Sequence, residues 1–197
     1  MLSSRVKPLV VNLITPLAKS FLAMGLTPNG VTLIGSAGVV SSAFYFYPRG
    51  ELFSGTLVIC LFALSDLFDG TMARISGTGG TKWGGFLDST LDRVTDACIL
   101  IALGIYAVKA ESDLLIPTSL GLLFGFLVPY VRAKAESLNI ECSVGIAERT
   151  ERLILLLTGI GLSGLDIPFV LPIALWLVVI LGAVTTVQRV LVVKASL

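Results

Sequence analysis

The chain contains no histidine. That absence removes the commonest general base and the usual nitrogen ligand of zinc, so acid–base chemistry falls to carboxylates, lysine or cysteine. Charge is scarce as well: 14% of the 197 residues are Asp, Glu, Lys or Arg, against about 25% in ordinary soluble domains. The three cysteines, Cys60, Cys98 and Cys142, are widely spaced and form no CxxC pair. This indicates neither a disulfide framework nor a thiolate metal site, and buried free thiols are the expected reading. The N-terminus does not resemble a secretory leader, because the apolar stretch after Arg5 and Lys7 is broken by Asn12, Thr15, Pro16 and Lys19 and lacks a small-residue cleavage site. It is read as part of the mature chain. A net charge of +1 without a basic run gives no reason to expect a nucleic-acid partner.

What is abundant is apolar surface. Hydrophobic residues make up 55% of the chain, and the mean hydropathy is +0.94. The expected fold is therefore an all-α integral membrane protein, one domain over residues 1–197, with six transmembrane helices of about 20 residues each. The spans are expected near residues 31–47, 52–75, 83–108, 114–137, 151–165 and 168–193. Ahead of them, Val6, Leu9, Val10, Leu13, Ile14, Leu17 and Phe21 recur at helical spacing while Asn12, Thr15 and Lys19 gather on another face. That pattern predicts an amphipathic helix on the membrane surface, and Pro16 and Lys19 argue against the alternative of a first span. Thr27 and Pro28 then suit the N-cap and first position of a new helix. Six spans place all cations but Arg49 and Lys109 on one side. By the positive-inside rule that side, with both termini, is the cytoplasm.

Against this background the stretch SDLFDGTMARISGTGGTKWGGFLDSTLDRVTD, residues 65–96, holds five acids. At about 100° per residue, Asp66 and Asp69 lie within about 60° of each other on one helix, and Asp88 and Asp92 within about 40° on the next. Two acid pairs therefore sit at neighbouring, cytoplasmic ends of apolar segments. An acid deep in a span costs roughly 2.5 to 3.5 kcal/mol, so four need a neutraliser. Hard oxygen ligands without imidazole or thiolate select Mg2+ or Mn2+. The competing reading is ion pairing with Arg74, Lys82 and Arg93 at the helix ends. Gly70 and Ala73 leave bare backbone beside the acids, and Gly77, Gly79 and Gly80 suit either phosphate wrapping or a plain connection.

The pattern Asp66-x-x-Asp69-Gly70-x-x-Ala73-Arg74 followed by Gly84-x-x-x-Asp88-x-x-x-Asp92 resembles the complete signature of the CDP-alcohol phosphotransferase family. The resemblance implies transfer of a substituted phosphate from a CDP-linked donor, usually CDP-diacylglycerol, to an alcohol with release of CMP. It implies metal on Asp66, Asp69 and Asp88, with Asp92 completing the cluster and serving as base, and a homodimer. It also implies donor contacts from Asn29, Thr32, Asp66, Asp69, Gly70, Ala73 and Arg74. Asp96 falls outside the signature and is expected to have a structural or pocket-wall role. Prenyl transfer, which also uses paired acids, lacks this Gly, Ala and Arg spacing, and cation transport would bind metal without consuming a donor.

A second group of charges, Arg132 and Lys134 in PYVRAKAE, Arg149 and Arg152 in GIAERTER, and Arg189 in VQRV, reads either as topology determinants meeting anionic lipids or as a pocket for a phosphorylated acceptor. The segments PYVRAKAE and SVGIAERTERL resemble those of actinobacterial phosphatidylinositol phosphate synthases. This implies inositol phosphate as acceptor, held by Arg132, Lys134, Arg152 and Arg189, with glycerol 3-phosphate, the acceptor of phosphatidylglycerophosphate synthases, as the alternative.

Overall fold

The computed structural model describes residues 14–76 and 81–197. The first half of the expected surface helix, and Gly77, Gly79 and Gly80 with it, lie outside the described residues. Among those described the chain is helical, with no strand. Residues 14–23 are the described part of α1. They are followed by α2 (Pro28–Phe46), a short 3-10 turn (Tyr47–Arg49), α3 (Leu52–Ala63), α4 (Ser65–Ile75), α5 (Lys82–Lys109), α6 (Leu115–Ser137), α7 (Arg149–Ser163) and α8 (Val170–Ser196). Among the described residues four stretches are long and apolar enough to cross a membrane: Pro28–Arg49, Leu52–Ile75, Leu115–Ser137 and Val170–Ser196. Large side chains such as Ile34, Leu61, Ile116 and Ile173 point outward from them, as lipid-facing residues do. In α5 the first half is rich in charge, and α7 has only 15 residues, about 22 Å at 1.5 Å per residue.

The described chain falls into two compact units. The first comprises Met1–Ser41 and Val58–Thr95. Its α2 starts as the sequence predicts: the Gly30 amide donates to the Thr27 hydroxyl at 3.1 Å, and the Val31 amide to the Thr27 carbonyl at 3.1 Å. Pro28, which has no amide proton to leave unpaired, takes the first helical position. Ala18, Val31 and Met72 are buried together, with Phe21, Leu22, Leu26 and Phe68 packed around them. Phe21 meets Phe68 edge to face, with ring centroids 5.5 Å apart. These contacts fasten α1 to α2 and α4.

The stretch expected as one helix over residues 52–75 is broken at Leu64, which separates α3 from α4. Here the Leu67 amide reaches back only three residues, to the Leu64 carbonyl at 3.0 Å, the tighter winding of a 3-10 turn. At the break α2 lies close by. A Cβ on Gly35 would stand 1.8 Å from Ser65 Oγ and 3.1 Å from the Phe62 carbonyl oxygen, and one on Gly38 would stand 2.2 Å from the Phe62 ring. The two glycines thus let the α2 backbone lie against the start of the helix that carries Asp66 and Asp69.

The second unit comprises Ser42–Leu57 and Asp96–Leu197. In it α8 packs against both α6 and α7. Glycines again set the spacing: a Cβ on Gly159 would meet Ala174 Cβ at 2.3 Å, and one on Gly182 would meet Phe124 Cβ at 2.7 Å. Such small-residue contacts allow close helix packing where lipid supplies no hydrophobic drive. Between α6 and α7 the chain has no regular structure, yet α8 holds it. Arg189 Nε donates to the Val144 carbonyl at 2.9 Å, and its Nη1 to the Val128 carbonyl at 2.7 Å. The Ile146 amide donates to Gln188 Oε1 at 3.1 Å, and the Thr185 hydroxyl to the Ala147 carbonyl at 3.5 Å. Gly145, at φ +151°, lies so close to Thr185 that a Cβ there would stand 2.6 Å from Thr185 Cγ2.

The close approach at Gly35 sets an expectation for stability. Gly35→Ala drives a methyl group into Ser65 and should lower the thermal unfolding temperature in detergent, since overpacking costs about 1 to 3 kcal/mol. Gly125→Ala, with nothing within 4 Å of the new Cβ, should leave it unchanged or raise it, because alanine is the better helix former by about 1 kcal/mol. Equal melting temperatures for the two variants would contradict the packing argument.

Candidate active site

The site is assembled from three helix segments of the first unit. Asp66 and Asp69 come from α4, Asp88 from the second turn of α5, and Asn29 and Thr32 from the first turns of α2. Asp66, Asp69 and Asp88 each offer a carboxylate oxygen, and these three atoms lie within 4.8 Å of one another. Ligand oxygens on opposite sides of an octahedral Mg2+ at about 2.1 Å stand about 4.2 Å apart, so the cluster fits such an ion with small side-chain adjustments. Its chemistry fits as well, being made of hard anionic oxygens with no sulfur or nitrogen among them.

Thr32 Oγ1 lies 2.6 Å from Asp69 Oδ2 and 3.1 Å from the Pro28 carbonyl. A hydroxyl has one proton to give, and the shorter distance assigns it to the carboxylate. The bond orients Asp69 with one oxygen turned towards Thr32, in the way that outer partners fix metal-ligating carboxylates. Next to the acids is a cavity of about 410 Å³ lined by Asn29, Thr32, Asp69, Gly70, Ala73 and Asp88, together with Thr27, Pro28, Thr81, Gly84 and Gly85. The glycines contribute open backbone. A Cβ on Gly84 would stand 3.2 Å from both Asn29 Oδ1 and Thr81 Oγ1 and would crowd these two side chains.

Five of the seven residues expected at the donor, Asn29, Thr32, Asp69, Gly70 and Ala73, therefore share one cavity wall with Asp88. Arg74 turns its Nε back to the Gly70 carbonyl at 3.0 Å. Asp92, one turn beyond Asp88 on α5, lies outside the three-oxygen group and stands 3.6 Å from Arg93 Nη2. The sequence reading overlooked Thr81, whose hydroxyl accepts from the Gly84 amide at 2.9 Å and caps α5. The signal was present: a threonine three residues before a helical glycine is a favoured N-cap.

The four residues expected around an acceptor phosphate all belong to the second unit and have different surroundings. Arg152 is 8% exposed and Arg189 5%. Arg152 lines a small cavity with Asp96, Arg149, Leu100 and Phe124, and its Nη1 lies 3.4 Å from the Ala147 carbonyl. Arg189 gives two of its nitrogens to the carbonyls of Val144 and Val128. Arg132 pairs with Glu136 at 2.9 Å on the surface, and Lys134 is exposed. The Asp96 carboxylate receives Arg149 Nε and Nη2, each at 2.9 Å. The sequence reading expected a structural or pocket-wall role of Asp96, and the residue lines this small cavity.

The CDP-alcohol phosphatidyltransferase family matches this chain over residues 25–188. A phosphatidylinositol phosphate synthase of Streptomyces avermitilis is 42% identical over 203 aligned residues, which cover 98% of this chain and 83% of that protein. Two crystal structures of the Mycobacterium tuberculosis phosphatidylinositol phosphate synthase are similar to it at a TM-score of 0.84 and 37% identity. One is in complex with manganese and citrate and the other has CDP-DAG bound. Each match covers 92% of this chain, and respectively 88% and 94% of those chains.

The acid cluster and its threonine make metal affinity the quantity to measure. Asp69→Asn should abolish Mn2+ binding followed by electron paramagnetic resonance. Thr32→Val should weaken it by about ten- to a hundredfold, the range found for partners of metal ligands. Unchanged affinity in Asp69→Asn would remove this residue from the ligand set.

Proposed function

The chain belongs to the CDP-alcohol phosphatidyltransferase family, and we propose that it transfers the phosphatidyl group of CDP-diacylglycerol to inositol phosphate, forming phosphatidylinositol phosphate and releasing CMP. The observation that carries this reading is the convergence of Asp66, Asp69 and Asp88 beside a cavity walled by Asn29, Thr32, Gly70 and Ala73. The named relatives support the choice of acceptor.

Asp66, Asp69 and Asp88 are assigned to hold Mg2+ or Mn2+, with Asp92 completing the cluster. Held there, such a cation would supply positive charge to offset what builds on the departing CMP oxygen. Asn29, Thr32, Gly70, Ala73 and Arg74 are assigned to the donor, the small residues admitting it close to the backbone. Asp92 is assigned as the general base. It accepts the proton of the attacking inositol hydroxyl as the oxygen bonds to the phosphatidyl phosphorus, and with no imidazole in the chain a carboxylate is the natural acceptor. Arg132, Lys134, Arg152 and Arg189 are assigned to the acceptor phosphate, which needs cations of its own because the donor is anionic too.

The protein is integral to the membrane. We read residues 1–197 as one domain of six spans behind an amphipathic α1, with α5 and α7 completing the four apolar stretches. Termini and site face the cytoplasm of the cell membrane in this reading, which the distribution of Lys and Arg supports. Family resemblance supports a homodimer.

Purified protein given CDP-diacylglycerol and Mg2+ should release CMP with inositol phosphate, and far less with glycerol 3-phosphate or free inositol. Equal use of free inositol would refute the phosphorylated acceptor. Chelation with EDTA should stop turnover and added Mn2+ restore it. Asp92→Asn should keep the donor KM while kcat falls by about 10²- to 10⁴-fold, the usual share of a general base. A variant that keeps its kcat and loses only donor affinity would assign Asp92 to metal binding alone. Arg152→Ala should raise the acceptor KM by about ten- to a hundredfold, one charge-assisted hydrogen bond being worth about 1.5 to 3 kcal/mol.

A further inference from the structure

The ion pair between Asp96 and Arg149 has no part in the chemistry described so far. Its geometry is nevertheless that of a strong contact: two parallel N–H···O bonds of 2.9 Å, between side chains only 20% and 23% exposed. Bidentate pairs of this kind fix orientation as well as distance. Arg149 is the first residue of α7, and Arg152 lies within the same turn. Two cations there face the positive end of the α7 dipole, against the local preference of a helix start. Glu148 and Glu151 close a capping box beside them, the Glu148 amide donating to Glu151 Oε2 at 2.7 Å, and Asp96 adds a counter-charge to Arg149. Asp96, Arg149 and Arg152 line the same cavity.

We propose that Asp96 is a positioning residue for acceptor binding: by clamping Arg149 it fixes the first turn of α7 and with it the guanidinium of Arg152. The proposal rests on the reading of Arg152 as a contact of the acceptor phosphate. It competes with a purely electrostatic role, in which Asp96 is a nearby negative charge that repels an anionic acceptor. The two predict opposite signs. Loss of the clamp raises the acceptor KM when Asp96 is neutralised, whereas loss of a repelling charge lowers it.

The experiment measures CMP release by the full-length protein in detergent, with CDP-diacylglycerol and inositol phosphate varied in turn, for the native chain, Asp96→Asn and Arg149→Lys. Lysine keeps both charges but has no planar fork to match the carboxylate, so it removes the clamp and leaves the field. Both variants are expected to raise the acceptor KM by about tenfold, the worth of one charge-assisted contact, with donor KM and kcat within about twofold of native. A lower acceptor KM in Asp96→Asn overturns the proposal in favour of repulsion. An unchanged acceptor KM in Arg149→Lys, or a parallel loss of kcat, donor affinity and melting temperature in both variants, overturns it in favour of a merely structural pair. Failure of the underlying reading has a separate signature in the native protein: free inositol used as readily as inositol phosphate, which takes the proposal down with it.

Discussion

Three carboxylate oxygens within 4.8 Å of one another form an arrangement that repels itself, and in a chain this poor in charge few cations are at hand to relieve it. The architecture of the first unit follows from holding that arrangement in place. Two of the acids stand three residues apart on α4, so one helix fixes their spacing. The third comes from α5, whose start is capped by Thr81, and one oxygen of Asp69 is turned by Thr32 on α2. Glycine stands at close approaches in this convergence: Gly35 and Gly38 against Phe62 and Ser65 at the break before α4, and Gly84 opposite the Asn29 side chain. The rigidity that holds the acids together against their repulsion is therefore a property of packing, and the same packing keeps open the cavity that a diphosphate donor requires.

The acid cluster was legible in the sequence for two physical reasons. Acids are costly in apolar helices, so five in one stretch demand an account, and helical periodicity converts spacing into facing. Helix limits were legible as well, because apolar runs alternate with turn residues, and apart from the break at Leu64 the observed ends fall within three residues of those expected. The break at Leu64 was not. Leucine is a good helix former and carries no turn signal. What marks the position is the contact of Gly35 and Gly38 with residues 27 and 24 places further along the chain, which no local pattern reports.

The cations of the second unit show the same limit. Grouping Arg132, Lys134, Arg152 and Arg189 by charge sign treats them as equivalent, whereas the fold gives each a different set of partners. Arg189 is buried and spends two donors on main-chain carbonyls, and Arg132 has a surface glutamate one turn away. Arg149, which the sequence offered only as one of a group, holds the best-aligned ion pair described. Its partner Asp96 lies 53 residues earlier, a distance across which sequence spacing carries no information.

The irregular segment between α6 and α7 reverses the usual relation between loops and tolerance. Connecting segments ordinarily accept added or deleted residues because their backbone groups bond to water. Here the carbonyls of Val144 and Ala147 and the amide of Ile146 bond to side chains of α8, while Gly145 rests against Thr185. Shifting the segment by one residue would break that register at every point together. A stretch without regular secondary structure is thus among the described segments least suited to carry an insertion, an epitope tag or a fusion.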